Sequence, residues 1–313
     1  MSSSVVRIFA DPDDYAVAMR QGTVGLTITQ RGAFTAKLSR VDLHRLWMQR
    51  FSANLGWTAH IDYWGGWATI AFQTRPGSTM LRDGRECAYD SISLLSTPQS
   101  YYLNSPGSPA YGTISLQLDE MAGLGAALGK RYVTAPDGHL IRTPPRSALS
   151  KLRRLHEAAG DLAEDAPAVV GHPEAARGLE QALIGAMIDC LRGEVYEDRA
   201  AQRQHAMIMR RFHSVVEQHL EEPLYIPELC KAVGASERTL QACCQEHLSM
   251  SPKRFLLLRR MHLVRKALHR STPFETTVTK IATRYGFWQL GRFAVEYKAL
   301  FGESPSATLA RPV

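Results

Sequence analysis

A short pattern that occurs twice in the last third of the chain constrains the fold more than any other feature. Ile226-Pro227-Glu228-Leu229-Cys230-Lys231-Ala232-Val233-Gly234 reads as a brief helix closed by glycine, and Ala235-Ser236-Glu237-Arg238-Thr239-Leu240 opens the next helix with Ser236 as N-cap. About fifty residues later, Val278-Thr279-Lys280-Ile281-Ala282-Thr283-Arg284-Tyr285-Gly286 again ends on glycine, and Phe287-Trp288-Gln289-Leu290-Gly291-Arg292-Phe293 begins another helix. A repeated helix-turn-helix unit in an all-helical segment implies two equivalent helices presented together. Between the units, Ser251-Pro252 starts a longer helix through His269. Its residues Phe255, Leu258, Met261, Leu263 and Leu268 are available for a core, with Arg254, Arg259, Arg260, Arg265 and Lys266 outside.

Charge falls in the same place. Residues 201–313 hold 17 Lys and Arg against 9 Asp and Glu, whereas residues 1–200 hold 20 against 21, so the last third carries the whole excess behind the net charge of +7. A basic excess on one domain is what a polyanion-binding surface needs, although a solvated basic surface has the same composition. The 313 residues suit two domains. A hydrophobic share of 45% with 21% charged residues argues for folded globular domains rather than disorder. Purely apolar runs such as 255–258 are far too short to cross a bilayer, and Met1-Ser2-Ser3-Ser4-Val5-Val6-Arg7 has no basic segment followed by an apolar core; a cytoplasmic location is expected. Cys87, Cys190, Cys230, Cys243 and Cys244 are odd in number and lack metal-site spacing, so reduced thiols and no structural zinc are expected. The adjacent Cys243 and Cys244 read as small packing residues in preference to a redox pair.

The first part of the chain has another texture. From about 22 to 120, short alternating segments such as 22–29 and 113–118 are broken at Gly65-Gly66, Pro76-Gly77, Asp83-Gly84 and Pro106-Gly107, the signature of a β-sandwich or barrel. Two amphipathic helices follow, one through Leu149, Leu152, Leu155 and Leu162, the other through Leu179, Leu183, Met187, Ile188 and Leu191. They can pack on the β-core or form a dimer interface. The fold class expected is therefore α+β: a β-rich, sensor-like domain with amphipathic helices over 1–193, a linker over 194–207, and an all-α domain over 208–313.

The residues from about 208 to 310 resemble the DNA-binding domain of the AraC/XylS family of bacterial regulators. The resemblance rests on 229–234, Ser236 and Leu240, Ser251-Pro252, Ile281-Ala282, Gly286-Phe287, Phe293, Tyr297-Lys298, Phe301-Gly302 and Ser304-Pro305. In the first unit Ala242, Cys244 and Ser249 stand where the family usually has arginine, phenylalanine and glycine; in the second, Val295 replaces a common arginine. The resemblance implies a DNA-binding transcription regulator, more often an activator, whose second helices enter the major groove about one turn, roughly 34 Å, apart. It implies double-stranded DNA as a partner, RNA polymerase as a candidate partner, and a cupin-like N-terminal domain that responds to a small-molecule effector or forms a homodimer.

On this reading Arg238, Gln241, Gln289 and Arg292 are the candidates for base contact, Arg suiting guanine and Gln adenine, with Trp288 and Leu290 near thymine methyls. Lys253, Arg254, Arg259, Arg260 and Lys298 are the phosphate candidates. Trp57, Tyr63, Trp64 and Trp67 could line a ligand pocket or belong to a core, and Arg75, Arg82 and Arg85 could receive an anionic effector. No cofactor is expected. Two other readings stay open. One is a helical domain that has lost specific readout, suggested by Ala242, Cys244 and Val295, and acts as an interaction module. The other is a metal-dependent β-barrel enzyme joined to a DNA-binding tail, against which His44, His60, His139, His156 and His172 form no cluster in the sequence.

Overall fold

The computed structural model describes residues 2–20, 22–77, 79–127, 140–191, 194–196, 200–219 and 224–311. Strand β1 (Ser3–Phe9) leads into helix α1 (Pro12–Ala18), which Asp11 caps by accepting the N–H groups of Asp13 and Asp14. Both precede the region expected to be extended. Most of β1 is exposed, so no apolar alternation marks it in the sequence. Then come β2 (Gly22–Ile28), β3 (Ala36–Asp42), β4 (Leu46–Ala53), β5 (Trp57–Tyr63), β6 (Trp67–Gln73), β7 (Met80–Arg82), β8 (Arg85–Cys87), β9 (Ile92–Leu95), β10 (Gln99–Ser105) and β11 (Ala110–Gln117). Asp83-Gly84 closes the β7–β8 hairpin with both residues at positive φ, as a two-residue primed turn requires. Helix α2 (Leu118–Ala127), β12 (Leu140–Thr143), α3 (Arg146–Asp165), α4 (Pro167–Gly171), α5 (Pro173–Cys190) and β13 (Glu194–Tyr196) complete this part.

The strands form two antiparallel sheets, one ordered β1-β3-β4-β11-β6-β9-β12-β13 and the other β2-β5-β10-β7-β8. Leu38, Phe51 and Tyr111 of the larger sheet meet Leu26, Trp57, Tyr101 and Leu103 of the smaller. On its other face the larger sheet presents Met48, Ile70 and Ile114 to Leu149 and Leu152 of α3 and Leu183 and Met187 of α5. The apolar stripes that would suit a dimer interface are thus covered within the chain. Burial of this face on both helices is a hydrophobic term of roughly 2 kcal/mol per large side chain.

Where a linker is expected, over 194–207, the chain forms β13 and then the first turns of α6 (Ala200–Gln218). The charged residues that suggest a linker are compatible with a helix, since straight-chain polar residues lose little freedom there. The rest is helical: α7 (Ile226–Val233), α8 (Glu237–Leu248), α9 (Pro252–His269), α10 (Val278–Arg284), α11 (Leu290–Phe301) and α12 (Pro305–Leu309). No helix among the described residues is long and apolar enough to cross a membrane.

The helical part packs on the outer face of the smaller sheet. Strand alternation explains how β10 serves two cores: Tyr101 and Leu103 point into the sandwich, while Tyr102 joins Phe212, Leu240, Cys244 and Phe255 of the helices. On β5, Trp57 and Ala59 face inward and His60 faces the helices, its ring against that of His213.

Candidate nucleic-acid interface

Each helix-turn-helix unit is built by the same local chemistry. Gly234 closes α7 with φ of 68°, and the N–H of Ala235 reaches back to the carbonyl of Cys230. Gly286 follows α10 with φ of 78°, and the N–H of Phe287 reaches the carbonyl of Ala282. A left-handed residue with a bond spanning six residues satisfies the orphan carbonyls at a helix end and turns the chain sharply. Helix α9 joins the units, and at 18 residues it spans about 27 Å.

The helices after the turns differ at their starts. Ser236 caps α8, its hydroxyl accepting the N–H of Thr239 at 3.1 Å. Gln289 precedes α11 without any side-chain cap. Of the residues expected at base edges, Arg238 and Gln241 are exposed in the first two turns of α8, and Gln289 and Arg292 are exposed at the start of α11. Arg292 donates from Nε to Glu296 at 2.8 Å, a surface pair that raises the guanidinium pKa and is easily exchanged for another anion. Trp288 is 78% exposed, so it is no part of the core, whereas Leu290 is half-buried.

The expected phosphate set divides. Lys253 and Arg254 are exposed at the start of α9, and Lys298 is exposed on α11. Arg259 belongs elsewhere: its side chain is 11% exposed and donates to Glu217 of α6 at 2.9 Å. Arg260 lies over the ring of Phe287 at 5.2 Å, and burial lowers its pKa. Arg265, expected outside, is 3% exposed and pairs with Asp11 at 2.8 Å. Burial opposes ionisation of Asp11, but Arg265 and the N–H groups of Asp14 and Asp13 outweigh it and hold the carboxyl below its usual range.

Other contacts tie the two parts together. The N–H of Ile28 on β2 donates to Nε2 of His262 on α9 at 2.9 Å, and burial holds that imidazole neutral with a pKa of about 4. Asn104 donates to the hydroxyl of Ser249 at 2.7 Å. Ser249 sits in the left-handed region, φ 55°, at the end of α8, where the contact from Asn104 accompanies the strain that a glycine would avoid. The N–H of Gly32 reaches the carbonyl of Leu300 in α11. Both second helices are therefore fastened near their C-termini to the sandwich and project their N-terminal turns away from those anchor points.

A cavity of about 90 Å³ lies inside the sandwich. Phe51, Phe72, Met80, Leu95 and Tyr111 make its wall mostly apolar, and Arg82 supplies a charge. Arg82 is 2% exposed, stands 3.6 Å from the centre of the Tyr101 ring, and its Nε has no hydrogen-bond partner. The four aromatic residues considered for a pocket are not brought together. Tyr63 lines the cavity, Trp57 is fully buried in the sandwich core, and Trp64 and Trp67 line a separate outer cleft. Their nearness in sequence misleads because β5 ends and β6 begins between them, with the Gly65-Gly66 turn separating the faces. Arg75 lines a different cleft beside α3. Cys243 and Cys244 are fully buried, and burial pushes both thiols up, as packing residues require.

A family model described as a helix-turn-helix domain matches residues 229–311, the two units with the helix between them. The chain is 41% identical over 118 residues to the probable thc operon regulatory protein of Rhodococcus erythropolis, a match covering 38% of this chain and 35% of that protein. It is 32% identical over 95 residues to the XylDLEGF operon transcriptional activator 2 of Pseudomonas putida, covering 30% of this chain and 60% of that one. The C-terminal third belongs to the AraC/XylS family of helix-turn-helix domains. Among solved structures, the AraC-like transcriptional activator CuxR aligns over 84% of this chain and 95% of its own at 12% identity with a TM-score of 0.45. A probable AraC family transcriptional regulator from Rhodopseudomonas palustris aligns over 34% of this chain and 98% of its own at 35% identity with a TM-score of 0.31. In this AraC-type domain the residues sequence reasoning missed are those facing the sandwich: Arg265, His262 and His213. The spacing Met261, Val264, Arg265, Leu268 was a usable signal for the first, because it puts Arg265 on the buried stripe of α9.

Proposed function

We propose that the chain is a DNA-binding transcription regulator that reads two successive major-groove segments with the N-terminal turns of α8 and α11. The observation that carries this reading is the pair of similarly turned units, joined by α9, on whose second helices or at their starts Arg238, Gln241, Gln289 and Arg292 are exposed. Exposed Lys253, Arg254 and Lys298 supply charge for phosphates, so binding weakens as salt rises. The relatives of known role are operon regulators and activators, which favours activation here. The cavity around Arg82 supports an effector that is small, largely apolar and anionic, since a buried guanidinium whose Nε has no hydrogen-bond partner favours a carboxylate.

Selection of bound duplexes from a random pool by the full-length protein tests the central claim. A split motif with half-sites about ten base pairs apart is expected, and Arg238→Ala and Arg292→Ala each relax only one half. Salt-sensitive binding without any motif would favour the reading in which the fold has kept its charge and lost its readout.

A further inference from the structure

Histidines isolated in the sequence meet in the fold. His60 on β5 and His213 on α6 lie face to face, ring centroids 3.2 Å apart and planes within 11°. Asp62, two residues along the same outward face of β5, places Oδ1 3.7 Å from Nδ1 of His60. One ligand atom from each of the three residues lies within 4.8 Å of the others. We infer that His60, Asp62 and His213 form a binding site for a first-row transition-metal ion, with ligands drawn from both the sandwich and the AraC-type domain.

The donor set is right for such an ion. Two imidazoles and one carboxylate suit zinc, cobalt or nickel and exclude a preference for magnesium or calcium, which take oxygen ligands. A tetrahedral ion with bonds of roughly 2.1 Å holds its donors about 3.4 Å apart. The His60–Asp62 separation is already close to that, and ligation requires the two stacked imidazoles to turn out of their parallel planes so that a nitrogen of each faces the ion. Burial, with the His213 ring opposing charge beside it, lowers the pKa of His60, and burial lowers that of His213; neutral imidazole is the ligating form.

Surrounding groups fit the same role. Nδ1 of His213 lies 3.3 Å from the hydroxyl of Tyr102. If that nitrogen carries the proton, Tyr102 accepts it and fixes Nε2 as the ligating atom, the usual partner arrangement of a metal-bound histidine. His60 and His213 both border a cleft of about 530 Å³ between the sandwich and the helices, which gives an ion an entry path and a water for its fourth position. Glu217, one turn beyond His213, also borders the cleft, but its carboxylate is held by Arg259. Because β5 and α6 each contribute a histidine, a bound ion would clamp the two parts in one arrangement.

The test uses full-length protein stripped with a chelator and titrated with Co²⁺, followed by visible absorption, and with Zn²⁺, followed by calorimetry. One ion per chain is expected, with nitrogen and oxygen ligation and no thiolate charge-transfer band. His60→Ala and His213→Ala should each weaken binding at least about tenfold, since even the loss of an outer-shell partner costs that much. His44→Ala, at an exposed position outside the cluster, should bind like the parent. Asp62→Asn keeps the question answerable if a histidine variant fails to fold, and it should also weaken binding. Absence of binding by the parent, binding indifferent to these substitutions, or a thiolate band pointing to cysteine would each overturn the proposal.

Discussion

In the first helix-turn-helix unit, α7 and α8 share their core with α6 and with Tyr102 of the sandwich; in the second, α10 and α11 close on α9 and α12 alone. The same turn chemistry thus produces two units of different standing. The first is an extension of the sandwich, packed along β10. The second is a self-contained cluster held to the sandwich by polar contacts, chiefly Arg265 with Asp11 and Gly32 with Leu300. A repeated sequence pattern fixes what each unit looks like, while the residues outside the pattern decide what each is coupled to.

That contrast can be broken most directly in the cores. Phe212→Ala and Phe293→Ala each remove a fully or almost fully buried ring, and each should cost about 3–5 kcal/mol. By hydrogen exchange, Phe212→Ala should loosen β10 together with α7 and α8, whereas Phe293→Ala should loosen only the second cluster. Equal loosening of β10 by both would abolish the distinction.

Asp11→Ala probes the polar hold on the second unit. It leaves Arg265 buried without its partner, for which about 3–5 kcal/mol is the usual penalty, and it also uncaps α1. Urea unfolding would measure the total, and Arg265→Met should cost less because no buried cation is orphaned.

Acid should weaken the contact between β2 and α9. The folded pKa of His262, about 4, lies below its ordinary 6.5, so the unfolded chain takes up the proton first as pH falls. The stability from this group is complete above pH 6.5 and is lost progressively toward pH 4. Between pH 7.5 and 5.5 the loss from this group is about 1 kcal/mol, and His262→Gln should make the fall of the urea midpoint shallower without abolishing it, because burial also lowers the pKa of His60 and His156.

The smallest effects concern the helix starts. Ser236→Ala should destabilise the first unit by about 1 kcal/mol, because it removes the cap of α8. Gln289→Ser should instead stabilise the second unit by roughly 0.5–1 kcal/mol, because α11 has no side-chain cap to lose. Thermal unfolding of the two variants would show shifts of opposite sign.

Much of this architecture was legible in the chain. Glycine at 234 and 286, the Ser236 cap and the apolar spacing of α3 and α5 are local signals, and local signals survive in a sequence. What was not legible depends on partners distant in the chain. His60 and His213 are more than 150 residues apart, and nothing in either neighbourhood marks the meeting. Arg259 and Arg265 look like solvent-facing charges until Glu217 and Asp11 are brought against them. The cavity was misplaced for a related reason: Trp57, Tyr63, Trp64 and Trp67 are consecutive in texture but divided by strand alternation and a turn, whereas Arg82 and Tyr101 converge from strands that only the sheet order makes neighbours.

Strand β10 carries one further consequence. Tyr101 touches the cavity and Tyr102 touches the helices, and a single peptide bond joins them. The wall between the two compartments is therefore one residue thick, too thin to insulate. A guest that shifted the backbone at Tyr101 would carry Tyr102 with it and so disturb the seat of the first helix-turn-helix unit, and substitutions along the cavity wall would bear on the posture of the helices by the same route.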